Sequence, residues 1–375
     1  MTETEKLLSE LIALPSVNPA FLETGNANGG EQRVAQFLAA KATRAGLGIE
    51  FKKALPHRAN LLIRLVPKNN PRQRILLAPH LDTVNGTPNQ FVPRRRNGRL
   101  YGRGACDTKG SVAAMISAVC ELAKNGQNPA STEIIFAGLV DEENNQSGSR
   151  ALADSGFKAD LAIVGEPTRL QVVTAHKGSL WLRFETKGKS AHGARPELGR
   201  NAVHEMSQIV NLLQTQYAAS LKRRHHRLLG QPTVSVGVIN GGTQPNIVPD
   251  RCSILVDRRT LPGETEDGVR REILKFLKQH GLHAECADNK LAPCRPMETD
   301  SKLPLVAQLL NQVGQRKPTG VHYFSDAAVL AEGGIPSVVF GPGDIAQAHT
   351  EDEFVELKQL ERAKEMLAGF LRSLP

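Results

Sequence analysis

The residues best suited to chemistry are two histidines and a group of carboxylates, each set at the end of an apolar run or among glycines and prolines. In ILLAPHLDTV an apolar stretch leads into His80 and Asp82. Alternation along a strand puts residues i and i+2 on the same side, so one can hold a metal while the other supports it. A zinc-bound imidazole commonly gives its second ring N–H to a carboxylate or carbonyl; Asp82 fits that role, or else contacts a neighbouring ligand. Taken alone, the pair also reads as a surface histidine beside a turn aspartate. In YGRGACDTKG, Gly102, Gly104 and Gly110 bracket Asp107 just before a predicted helix. Glycines allow the backbone to approach a ligand closely, although an aspartate there equally suits a helix N-cap. The run DEENN brings together Asp141, Glu142 and Glu143, three carboxylates that repel one another unless cations or protons compensate them. By itself it also fits a solvated acidic loop. AIVGEPT supplies Glu166, and FGPGDIAQAHTEDEF supplies His349 in a Gly/Pro-rich loop.

Regular elements must hold these segments in place. Apolar runs at 60–66, 74–78 and 133–140 have the pattern of buried strands, with a helix over about 110–124 and another strand at 160–164. This is an alternating α/β half. Two amphipathic helices precede it, one carrying Leu7, Leu8, Leu11 and Ile12, the other Val34, Phe37, Leu38 and Ala42 before Gly46. From Ser179 the order becomes strand, helix, strand, strand, helix, strand, the β-α-β-β-α-β ferredoxin-like arrangement. After it come a helix near 303–313, a strand at 337–340 and a terminal helix from Leu357. The fold class is therefore α/β. A discontinuous α/β/α domain over 1–175 and 288–375 is interrupted by an inserted domain over 176–287. All five chemical segments are expected just past strand ends of one sheet, where open α/β sheets place ligand sites. Two histidines with several carboxylates suit zinc.

Composition narrows the classes. The chain has 375 residues, 40% hydrophobic and 23% charged, an ordinary globular balance large enough for one big domain and a smaller one. The net charge is +9, but the basic residues are dispersed apart from KRRHHR at 222–227, and aromatics make up only 4%. A base-stacking surface is unsupported, so no nucleic-acid partner is expected. No run approaches the roughly 18 apolar residues of a membrane helix, and acidic residues stand near the N-terminus where a signal peptide needs positive charge. No membrane partner is expected, and the location is read as cytoplasmic. Five cysteines without CxxC spacing point to reduced thiols.

The motifs APHLDTV, YGRGACDTKG, VDEENNQSGS, VGEPT, KSAHGARPELGRNA, VDRRTLPGE and AHTEDE occur in this order along nearly the whole chain. In this the chain resembles the co-catalytic zinc peptidase and deacylase family of acetylornithine deacetylase, succinyl-diaminopimelate desuccinylase, aminoacylase and glutamate carboxypeptidase. The resemblance implies a zinc-hydrolase catalytic domain with an inserted dimerisation or lid domain. It implies two Zn2+ per chain, with Co2+ or Mn2+ as substitutes: His80 and Glu166 on one ion, Glu143 and His349 on the other, and Asp107 bridging. Asp82 then orients or tunes the first ion's ligand, and Glu142 is the general base. Thr108 replaces the family's usual methionine, and Cys106 stands where alanine or serine is common.

The same resemblance implies attack of a metal-bound hydroxide on the amide of an N-acyl amino acid, with acetylornithine favoured by the run VGEPTRLQVVTAHKGSLW. Desuccinylation, or cleavage of a short peptide by a carboxypeptidase or dipeptidase of the family, is the alternative. The implied helpers are His192 for the oxyanion, contributed across a homodimer formed through the inserted domain, Arg259 for the substrate carboxylate, and Asn246 for either group. Arg258 neighbours Arg259, so a one-residue shift in the match would exchange them.

Overall fold

The structure is a computed structural model that describes residues 1–22, 30–288 and 294–375. The chain divides into two compact units: Met1–Thr174 with Thr299–Thr319 and Ser325–Pro375, and Ala175–Glu298 with Gly320–Phe324.

The first unit is built on a mixed sheet. Thr132–Gly138, Gln73–Pro79, Leu161–Gly165 and Ser337–Val339 lie side by side and parallel. Arg58–Leu65 adds antiparallel to Thr132–Gly138 and makes a hairpin with the edge strand Gly48–Leu55. Past their first two residues Gln73–Pro79 and Thr132–Gly138 are apolar, as strands covered on both faces are. Ile75 and Leu77 enter a core shared with the helices Glu3–Ile12, Gln32–Arg44, Lys109–Lys124 and Leu357–Arg372. Leu76 and Ala78 point the other way and are equally buried. Ser147–Asp154 and Ala327–Glu332 pack on each other, against Gly48–Leu55 and against Leu161–Gly165 and Ser337–Val339 respectively. The α/β class and the sandwiching of the sheet between helices follow directly.

One expectation is corrected here. The Asp107 segment does not leave a strand of the central sheet. It follows Arg99–Tyr101, the middle strand of a separate three-stranded sheet with Arg94–Arg96 and Phe354–Glu356. The hairpin turns at Asn97 and Gly98, both with positive φ (49° and 73°), the pairing that suits a tight turn. Strands of three residues, RRR, RLY and FVE, carry no apolar run to announce them.

The second unit is a four-stranded antiparallel sheet in the order Thr233–Gly241, Arg251–Thr260, Gly178–Lys187, Glu285–Asp288. Helices Ala202–Leu212 and Glu266–Gln279 complete the β-α-β-β-α-β order. Leu180, Leu182 and Phe184, on alternate positions of one strand, join Ile254 and Val256 of its neighbour against Met206, Ile209, Ile273 and Leu277. Trp181, between them in sequence, points outward. Among the described residues no helix is long and apolar enough to cross a membrane.

Candidate metal centre

His80 follows directly on Gln73–Pro79, and the main-chain ladder continues past it through Leu81 N–H to the Leu139 carbonyl. Its ring is buried. Nδ1 lies 3.0 Å from the Asp82 carbonyl oxygen, which can only accept, so this nitrogen carries the proton and leaves Nε2 as the ligand atom. Nε2 is 3.0 Å from Asp107 Oδ1 and 3.9 Å from Glu166 Oε1. The Asp82 carboxylate lies 3.5 Å from Nδ1 through Oδ1 and also holds the acidic run: Oδ1 accepts from Glu142 N–H and Oδ2 from Glu143 N–H, both at 3.1 Å, while Asn18 Nδ2 donates to Oδ2 at 2.7 Å. Asp82 therefore supports His80 through its main-chain oxygen and the nearby carboxylate, and fixes the paired glutamates through that same carboxylate.

On the other side, His349 Nε2 lies 3.3 Å from Asp107 Oδ2 and 3.2 Å from Glu143 Oε2. Asp107 thus offers one carboxylate oxygen to each histidine. The ligand atoms of His80, Asp107 and Glu143 all fall within 4.8 Å of one another, close enough to hold an ion. The Asp107–Thr108 peptide is cis, and Thr108 Oγ1 donates to the Gly165 carbonyl next to Glu166.

The electrostatics fit a cation-binding role. Burial together with neighbouring carboxylates pushes Glu142 and Glu166 well above the ordinary carboxylate range, and burial beside Asp107 raises Glu143. Burial opposes the charge on His80, but the Asp107 and Asp82 carboxylates outweigh it and push the ring well above an ordinary histidine. Hydrogen bonds to Asp107 and Glu143 carry His349 up to about 10. Buried carboxylates held this close cannot all be charged without cations among them. Two imidazoles and three carboxylates are the donors zinc takes, so the residues fit the ion. Cys106, beside the bridging aspartate, is buried and donates from Sγ to the Asp344 carbonyl at 3.2 Å; burial pushes its thiol pKa up, so it stays a neutral packed side chain.

The remaining sequence candidates lie in the second unit. His192 and Asn246 are exposed neighbours: Gly193 N–H donates to the Asn246 carbonyl at 2.7 Å, and His192 bridges to Ile247. Arg258 is fully buried and paired with Glu264 at 2.6 Å. Arg259, on the other strand face, is partly exposed and pairs with Asp257 at 3.0 Å. Of the two arginines, only Arg259 has a head group open to a ligand.

Several supporting residues were not apparent from the sequence. Asn18 Nδ2 bridges Asp82 and Asp141, and Asp141 pairs with Arg58, which also holds Glu31. The first member of the acidic triplet is therefore structural. Asp326, raised to about 6 by burial, accepts from Ser149 Oγ. Glu353 accepts from the loop that carries Asp107. Only Asn18, in an Asn-Pro turn, and Glu353, beside the His349 motif, have any local signal.

Comparison with known proteins agrees with this geometry. The profile of peptidase family M20/M25/M40 matches residues 76–373. The acetylornithine deacetylase of Proteus mirabilis (strain HI4320) is 30% identical across 98% of this chain and 96% of its own. That of Myxococcus xanthus is 31% identical across 88% of each. Among solved structures, the M20 family metallo-carboxypeptidase Sso-CP2 of Sulfolobus solfataricus superposes with a TM-score of 0.77 at 19% identity, over 99% of both chains. The aminopeptidase PepT of Bacillus cereus ATCC 10987 gives 0.78 at 22% identity, over 98% of this chain and 97% of its own.

Proposed function

The chain belongs to peptidase family M20/M25/M40 and is a hydrolase acting on amide bonds; on that footing we propose that it removes the acyl group from an N-acyl amino acid of the acetylornithine type, using two zinc ions. The observation that carries the two-ion reading is Asp107, whose two oxygens face different histidines. His80 and Glu166 hold one ion, Glu143 and His349 the other, and Asp107 is shared; Co2+ or Mn2+ would serve in place of zinc. The substrate class is supported by the two deacetylases at 30% and 31% identity.

When bound, the ions polarise the amide carbonyl and acidify a water. The protein's own groups do the rest. Glu142, buried and with its pKa driven upward, accepts the proton of the attacking water and passes it to the departing amine. Asp82 holds the Glu142 and Glu143 amides, which keeps the base and its neighbouring ligand in register. Three further residues, all in the second unit, follow from the family resemblance: Arg259 for the substrate carboxylate, whose shape a guanidinium matches, His192 of the partner subunit for the developing oxyanion, and Asn246 for either group. We also propose that the protein works as a homodimer through this unit, where Val238, Ile239 and Ile247 are exposed around the edge strand Thr233–Gly241. Cytoplasmic location would keep buried thiols such as Cys106 and Cys120 reduced.

The test is a turnover panel on zinc-loaded protein, with metal analysis, using N-acetylornithine, N-succinyl-diaminopimelate, other N-acetyl amino acids and C-terminal glutamyl dipeptides. The highest kcat/KM is expected for N-acetylornithine. Preference for the succinyl compound or a dipeptide would replace the substrate assignment, and fewer than two zinc ions per chain would overturn the two-ion centre.

A further inference from the structure

The loop 102–107 is buried along its length; Arg103 N–H donates to the Gln90 carbonyl at 2.7 Å and Ala105 N–H to the Gly102 carbonyl at 3.0 Å, which leaves the amides of Gly102, Gly104, Cys106 and Asp107 to be met from elsewhere. Buried N–H groups left without acceptors are costly, so something must receive them. For these four amides the acceptor is one residue. Glu353 Oε1 accepts from Cys106 N–H at 2.9 Å and Asp107 N–H at 3.0 Å, Oε2 accepts from Gly104 N–H at 3.1 Å, and the Glu353 main-chain oxygen accepts from Gly102 N–H at 3.0 Å. Arg103 adds an ion pair to Oε2 at 2.6 Å. The loop's path is tight: Gly104 has φ of +84°, and a Cβ there would come within 2.8 Å of the Lys109 side chain.

We infer that Glu353 is a positioning residue for the metal centre, setting the aim of Asp107 by holding four amides of the loop that carries it. The inference rests on the two-ion reading above. Glu353 stands four residues after His349, and Gln90 Nε2 ties down the intervening carbonyls of Thr350 and Glu351 at 3.2 and 3.0 Å. The same residue therefore links the segments that carry the bridging carboxylate and the outer histidine. A carboxylate suits this task because both oxygens only accept, and bonds to an ionised acceptor are the stronger kind. Glutamine would turn an NH2 toward backbone donors and lose the bonds of one oxygen.

The experiment is a competitive zinc titration of the chelator-treated full chain, with circular dichroism to monitor the fold. Glu353→Gln is expected to weaken zinc binding by about 10- to 100-fold, the usual cost of removing a group that orients ligands. Arg103→Met removes the ion pair but leaves the amide acceptors, so it should lower the melting temperature while zinc affinity stays near that of the unaltered protein. If Glu353→Gln does not fold, Glu353→Asp, which keeps the charge but falls one methylene short, is expected to weaken zinc in the same direction. A folded Glu353 variant with unchanged zinc affinity, or equal losses for Glu353→Gln and Arg103→Met, would overturn the positioning role alone. An unaltered protein that takes up fewer than two ions would overturn the two-ion reading and this inference with it.

Discussion

His80 and His349 face opposite oxygens of the same aspartate, yet they are held in different ways. The His80 side chain is 1% exposed and that of His349 is 52% exposed. His80 continues a central strand, and both ring nitrogens have partners. His349 sits in a loop with a left-handed backbone (φ 62°) and meets Asp107 and Glu143 through Nε2. The inner half of the centre is thus set by the sheet and sealed by the core. The outer half depends on loop-to-loop bonds and is open. The exposed imidazole of His349 is the part of the centre that solvent reaches within the first unit.

The largest effect should come from the sealed half. Glu142→Gln removes the proton acceptor and keeps the shape, so kcat should fall by roughly 10²- to 10⁴-fold, the usual share of a general acid–base group. Bound zinc should be unchanged, as read by metal analysis; a variant with undiminished kcat would remove Glu142 from the mechanism. Next in size is the contrast between the histidines. His80→Ala leaves the Asp107 and Glu166 carboxylates buried without the cation that faces them in the metal-free protein, a loss of about 3 kcal/mol or more when a buried pair is broken. His349→Ala empties a position that solvent can fill. Thermal melts in the presence of chelator should therefore show a large fall for His80→Ala and a small one for His349→Ala. Equal falls would erase the distinction between the two halves.

The same contrast explains what could be read from the sequence. The inner half could be anticipated because His80, Glu142 and Glu166 come just after apolar runs with the pattern of buried strands. The ferredoxin-like unit was legible because Leu180, Leu182 and Phe184 alternate with outward residues such as Trp181. The small sheet beneath Asp107 was not, since Arg94–Arg96 and Arg99–Tyr101 owe their pairing to an Asn-Gly turn and to Phe354–Glu356, some 250 positions away in sequence. Supporting groups were hidden for a related reason. Asn18 meets Asp82 and Glu353 meets Asp107 only in three dimensions, and a single carboxylate or amide carries no periodicity.

The smallest effect concerns protons rather than atoms. In the metal-free protein His349 is held up to about 10 by Asp107 and Glu143, against 6.5 for a free histidine. A group whose folded pKa is raised adds stability that is complete below its unfolded pKa and is lost as pH climbs through the folded one. The window is therefore about pH 6.5 to 10. With chelator present, the difference in melting temperature between the unaltered protein and His349→Ala should be greatest near pH 6 and shrink steadily toward pH 10. Because the ring is half exposed, solvent screens the pairing and the difference should be modest at every pH. With zinc bound the ion takes the place of the proton, so the difference should no longer shrink across this window. A chelated protein whose difference stays flat from pH 6 to 10 would mean that His349 is not paired with Asp107 and Glu143 before metal arrives, and that the open half is assembled by the ion itself.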